Sequence, residues 1–134
     1  FQFISYDGKK FMFMPYDMDT VFGLEWTGAA VYDDTTGSQL VWNSSGSFWR
    51  KVKLTYNADI EARYKQLRDL KIISVENIYN LSTDLFLKYS RDVYDLELAR
   101  WPVRPSLNIT SLEQILTWTK KRIAFLDTYF NYTA

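Results

Sequence analysis

A chain of 134 residues with 47% hydrophobic and 18% aromatic side chains is long enough for one modest core and too apolar for a disordered tail, so one domain, or one piece of a domain, is expected over 1–134. Lys+Arg and Asp+Glu balance at 16 each, which argues against a purely electrostatic nucleic-acid or membrane-surface binder. The sequence has no Cys and no His, which removes thiol catalysis, imidazole bases, zinc held by N or S ligands and disulfide stapling. Any chemistry falls to carboxylates, Lys, Arg, Tyr and hydroxyls.

Residues 1–19 read as a β-hairpin that ends in an acidic motif. Phe1 to Tyr6 and Lys10 to Met14 are β-favouring runs joined through Asp7-Gly8, a dipeptide suited to a turn with positive φ. Pro15 cannot donate to a ladder and holds Met14 extended, so the strand ends there. Because the chain opens inside a strand, it is expected to be the C-terminal portion of something longer. No run approaches ~18 apolar residues, so no membrane span is expected.

From 20 to 47 the chain loses its period and is rich in Gly, Ser, Thr, Asp and Asn, which predicts a long loop of functional interest. Trp26, Val31 and Leu40 to Trp42 are expected to pin it to the body, with a short strand around Gln39 to Trp42. Trp26 and Trp42 are the aromatic side chains best placed for a ligand or partner.

Residues 48–134 read as four to five helices. Ser47 and Asn57 are expected N-caps of two helices, with Phe48, Trp49 and Val52 on one face of the first and Ile60, Tyr64 and Leu67 on one face of the second. Ser74 caps a third helix with Val75, Ile78, Leu81 and Leu85 facing inward. A shorter helix over Asp92 to Arg100 stops at Trp101-Pro102. The last begins with a capping box of Thr110 and Glu113 and carries the stripe Leu112, Ile115, Leu116, Thr119, Ile123 and Leu126. Trp49, Trp101 and Trp118 are expected to fill the core. Lys120, Lys121 and Arg122 are expected to form a solvated face. The fold class is therefore α+β, mainly helical. Asn43, Asn80, Asn108 and Asn131 open glycosylation sequons, which bear on function only in a eukaryotic secretory setting.

The most specific stretch is Phe11 to Gly23, FMFMPYDMDTVFG. Two aspartates one residue apart at a strand exit suit magnesium, a hard ion that takes one or two carboxylates together with substrate phosphates. A D-x-D is short and common, and a solvated turn would explain it as well. Three chemistries use the format: haloacid-dehalogenase-type phosphatases (DMDTV fits D-x-D-x-[TV]), nucleotide-sugar glycosyltransferases, and protein-kinase-like enzymes, where an Asp followed by Gly holds the magnesium on ATP. The phosphatase needs a central parallel strand and βα alternation, and the hairpin before the motif and the helices after it oppose both.

The string resembles the metal motif of the CotH kinase family: a hydrophobic strand, P-[WY]-D-x-D, a small residue, then Phe-Gly or Leu-Gly. Weaker similarities follow in SFWRKV, in ARYKQLRDL (Tyr64 to Leu70), in ARWP (Arg100 to Pro102) and in KKRIAFLD (Lys120 to Asp127). The resemblance implies ATP-dependent phosphorylation of protein Ser or Thr in an atypical kinase-like fold, with magnesium or manganese and ATP as cofactors. Asp17 matches the metal-binding aspartate and Asp19 the second acidic position, so both are the expected catalytic and metal residues. The phosphate-covering loop, the ATP-pairing Lys and the catalytic-loop Asp are expected upstream of Phe1. The implied partners are protein substrates, coat proteins and other parts of the same longer chain, at a spore coat or cell surface. YDMDTVFGLEWTGAA is also similar to CotH-like domains in structural proteins of bacterial viruses, which implies instead a virion domain, in a tail or beside a capsid, without catalysis.

Overall fold

A computed structural model of the chain describes residues 2–5, 7–14, 22–23, 46–102 and 112–133. Two short strands, β1 (Gln2–Ser5) and β2 (Phe11–Met14), precede four helices: α1 (Ser47–Asp69), α2 (Val75–Lys88), α3 (Arg91–Arg100) and α4 (Leu112–Tyr129). The described part of the protein is mainly helical. The strands run antiparallel, Gln2 opposite Met14 and Ser5 opposite Phe11. In their connection the Asp7 carboxylate accepts the backbone N–H groups of Lys9 and Lys10 at 2.8 and 2.9 Å, which holds its pKa below the ordinary value.

The helix starts follow the capping rules unevenly. Ser74 caps α2, accepting the Asn77 N–H at 3.0 Å, as its position predicts. At α1 the cap position falls to Gly46, and Ser47 is already helical. The expected break at Asn57 is present: within the span Ser47–Asp69 two helical segments meet at a kink. Tyr56 leaves helical geometry (φ −117°, ψ 24°) while α1 continues through it to Asp69. The expected capping box at Thr110 and the strand at Gln39 to Trp42 lie outside the described residues.

Both α1 and α4 end in the same turn. Lys71 (φ 55°) and Asn131 (φ 51°) take left-handed backbone. Ile72 N–H bonds the Leu67 carbonyl at 3.0 Å, and Tyr132 N–H bonds the Asp127 carbonyl at 2.8 Å. These are Schellman closures, which return the last free carbonyls of each helix to the chain.

The core is small and centred on α4 and the second half of α1. Ile115, Thr119, Ile123, Phe130 and Tyr64 are buried. The α4 stripe is thus where its spacing places it. The face of α2 differs from expectation: Ser82 is buried, whereas Leu81 and Leu85 are 53% and 56% exposed. Helix α2 packs against α4 with Ser82 buried and the two leucines turned outward. Trp101, expected in the core, is also exposed, and so is Phe48. Among the described residues no helix is long and apolar enough to cross a membrane.

Candidate functional site

Asp17 and Asp19, with Trp26 and Trp42, lie outside the described residues. The end of their motif does not: Phe22 and Gly23 are seated on α4. The Gln114 side-chain amide donates to the Phe22 carbonyl at 3.0 Å. The Phe22 ring meets the Trp118 indole edge-on, with centroids 6.2 Å apart and an interplanar angle of 86°. Gly23 is buried with φ +81°, and a Cβ built on it would stand 2.0 Å from Trp118 Nε1. Both its backbone and its surroundings therefore require glycine. Gln114 and Trp118 are four residues apart, one helical turn, and so share one face of α4.

That contact leaves a mark on the indole. Trp118 Nε1 is buried and finds no hydrogen-bond acceptor among the described residues. Such a donor costs about 1–3 kcal/mol, so the ring is held where it is by its packing on Phe22 and Gly23.

A second polar cluster ties α1 to α4. Arg68 forms a two-pronged pair with Asp127, Nε to Oδ1 at 2.8 Å and Nη2 to Oδ2 at 2.9 Å. Its remaining terminal nitrogen donates to the Ile73 carbonyl at 2.6 Å. The Tyr64 hydroxyl donates to the same Asp127 Oδ1 at 2.6 Å, and the Tyr64 ring stacks on Phe130 at 4.6 Å. Tyr132 completes the group, its hydroxyl on Asp69 at 3.0 Å and its ring 5.1 Å from the Arg68 guanidinium. Tyr64 and Arg68 from ARYKQLRDL thus meet Asp127 from KKRIAFLD. The two stretches form one clasp, whose bonds are all internal and whose role is to join helix ends.

The clasp carries a pH dependence. Burial first, then the bond to Asp127 and its charge, raise the Tyr64 phenol well above its ordinary 10.0. The folded state favours the neutral phenol, so this stabilisation is complete below pH 10 and is lost as the pH climbs toward the raised value. Thermal unfolding followed from pH 8 to 11.5 is expected to show a falling melting temperature above about pH 10. Tyr64→Phe keeps the ring stack and is expected to flatten that slope. A residual slope remains from Tyr132, which its bond to Asp69 shifts in the same direction.

Between α2 and α4 runs an open cleft of about 570 Å³, lined in part by Val75, Leu112 and Leu116 with Glu76, Glu113 and Lys120. It lies on a different face of α4 from Gln114 and Trp118. Among the described residues no group of three or more His, Cys, Asp or Glu side chains is gathered for a metal.

Comparison of the chain with protein-family models, with curated proteins and with solved structures finds no match.

Sequence reasoning left Gln114 unremarked and assigned Trp118 to the core, so the side chains that seat Phe22 and Gly23 on α4 were not foreseen. Their available signal was the i, i+4 pairing of an amide and an indole on α4, beside the buried stripe of Ile115, Thr119 and Ile123.

Proposed function

We propose that this chain is the C-terminal part of a CotH-like protein kinase domain that carries out magnesium-dependent transfer of phosphate from ATP to protein Ser or Thr. The observation that carries the proposal is the P-Y-D-M-D string leading into a Phe-Gly that is seated on α4 by one hydrogen bond and one ring contact. In this reading the N-terminal hairpin is a pedestal for the motif and the helices are the body of a kinase-like lower lobe.

The donor set fits the ion: Asp17 and Asp19 offer hard carboxylate oxygens, and the chain has no Cys or His to favour a softer metal. Magnesium, when bound, neutralises phosphate charge and draws the ATP oxygens together. Asp17 serves as its principal protein ligand, and Asp19 as co-ligand or as the group that orients a metal-bound water. The groups that in the CotH-like resemblance cover the phosphates, pair with ATP and accept the substrate hydroxyl proton have no match among these 134 residues. The site of action is a spore coat or cell surface, with coat proteins as substrates.

A second reading, a virion domain that retains this fold for assembly, is supported by apolar side chains left in solvent on α2 and α3, among them Leu87 at 79% and Leu96 at 70% exposure. ATP turnover by the full-length protein separates the two. Turnover that depends on magnesium or manganese and falls to background in Asp17→Ala supports the kinase. An intact fold that neither binds nor turns over nucleotide overturns it and leaves the assembly role.

A further inference from the structure

We infer that the cleft between α2 and α4 is a docking groove for an amphipathic helix of a partner protein, one that carries a basic residue, apolar residues three and four positions on, and an acidic residue at the seventh. The groove is built wholly from described residues and is independent of the proposed kinase activity.

Helices α2 and α4 pack against each other, and the cleft between them, about 570 Å³, has the size of a site that takes a ligand. Its apolar lining, Val75, Leu112 and Leu116, is half-buried, with the exposed ring of Tyr79 beside it. Its charged lining, Glu76, Glu113 and Lys120, is exposed. Apolar side chains set deeper than charged ones suit the reception of an amphipathic helix. This face of α4 is not the one that builds the core, since Ile115, Thr119 and Ile123 are buried on the neighbouring stripe.

The charges of the cleft have no partners within it. Among the described residues, none of the side chains of Glu76, Glu113 and Lys120 forms an ion pair or a hydrogen bond, whereas Lys65 with Glu61 and Arg91 with Asp95 pair four residues apart. Glu113 and Lys120 lie seven residues apart in α4, two turns and about 10 Å along the axis, on one face but beyond the spacing at which helical charges pair. Leu116 stands between them, so this wall of the cleft reads acid, apolar, base. A helix laid along α4 has the same rise per residue. A base and an acid seven positions apart on it therefore meet Glu113 and Lys120 together, while the apolar residues between them meet Leu116. Glu76 adds a second carboxylate from α2 and favours the basic end of the ligand.

The chain does not supply such a helix itself. Within the described helices the opposite charges seven residues apart are Glu61 with Arg68, Lys120 with Asp127, and the cleft's own Glu113 with Lys120. Arg68 and Asp127 are engaged with each other in the clasp. A second copy would also present the same concavity, and filling a concavity takes a convex ridge of side chains, which a separate helix offers.

The experiment titrates the full-length protein into a dye-labelled, end-capped helical peptide of alanine and glutamine that carries Arg, Leu, Leu and Glu at positions i, i+3, i+4 and i+7, with binding read by fluorescence anisotropy. A companion peptide has Arg in place of the Glu. Saturable binding of the first peptide, about fivefold tighter than that of the companion, is expected from the ammonium at 120. Lys120→Glu alters only an exposed side chain and is expected to reverse the preference. Leu116→Ala is expected to weaken binding of the first peptide about tenfold with helical circular dichroism unchanged. Absence of saturable binding overturns the inference. A preference that Lys120→Glu leaves in place, or binding indifferent to Leu116→Ala, overturns it too, because the peptide then sits elsewhere. Sedimentation of the full-length protein tests the other occupant. A dimer dissociated by Lys120→Glu puts a second copy in the cleft and overturns the partner helix, whereas a monomer, or a dimer that Lys120→Glu leaves intact, is the expected result.

Discussion

Replacing Asp127 with alanine is expected to cost about 3 kcal/mol of stability, toward the lower end of what breaking a buried ion pair costs. The lower end applies because the Arg68 and Asp127 side chains keep 15% and 22% of their exposure. Three donors converge on this carboxylate: two from Arg68 and the Tyr64 hydroxyl. Alanine leaves a guanidinium with only the Ile73 carbonyl and the face of the Tyr132 ring for company, and strands the phenol. Asp127→Asn should cost less, since its carbonyl oxygen can still accept. The double variant Arg68→Met with Asp127→Leu should cost less than the sum of its parts, because no charge is then left unpaired. Urea unfolding followed by helical circular dichroism measures all three. A loss below about 0.5 kcal/mol for Asp127→Ala, the size expected of an exposed ion pair, would show that the clasp is decorative.

The second large effect is expected at Gly23. Alanine there meets two separate penalties: a left-handed backbone, about 1–2 kcal/mol for a residue with a Cβ, and a collision with the Trp118 indole at 2.0 Å. Overpacking of this kind adds about 1–3 kcal/mol. The penalties can be told apart with a second substitution. Trp118→Leu removes the obstacle without touching the φ of +81°, so Gly23→Ala should be less damaging in that background than in the unaltered protein. Equilibrium unfolding of the four proteins of the cycle gives the coupling. Additive losses would mean that Gly23 and Trp118 act independently, and the close contact would then not be the reason for the glycine.

The parts of the fold that were legible in sequence are those with a local cause. Ser74 announces α2 because an N-cap needs only its own hydroxyl and the next turn, and Pro102 ends α3 for a similarly local reason. The α4 stripe through Ile115, Thr119 and Ile123 follows from spacing alone. The break at Tyr56 was legible too, one residue away at Asn57, where the apolar pattern restarts. The errors arose where two faces competed. On α2, apolar residues at Leu81 and Leu85 lie beside the small Ser82, and hydropathy prefers the leucines. The fold buries the serine instead, a choice made by tertiary packing and not by hydropathy. The clasp was invisible for the same reason: nothing near Arg68 says that its partner is Asp127. Asp17 and Asp19 were singled out by motif and lie outside the described residues, whereas Gln114 and Trp118 have no motif and emerge only when Phe22 and Gly23 are seen against them.

Arg68 and Asp127 lie 59 residues apart. The clasp therefore closes a ring of chain that contains α2, α3 and the segment 103–111 before returning along α4. The entropy of closing such a ring grows only with the logarithm of its length, so that even doubling it would cost about 0.6 kcal/mol. A few residues added or removed at 103–111 would change that cost by far less than the clasp contributes. In evolutionary terms, the ends of α1 and α4 can stay joined while the length of chain between them drifts.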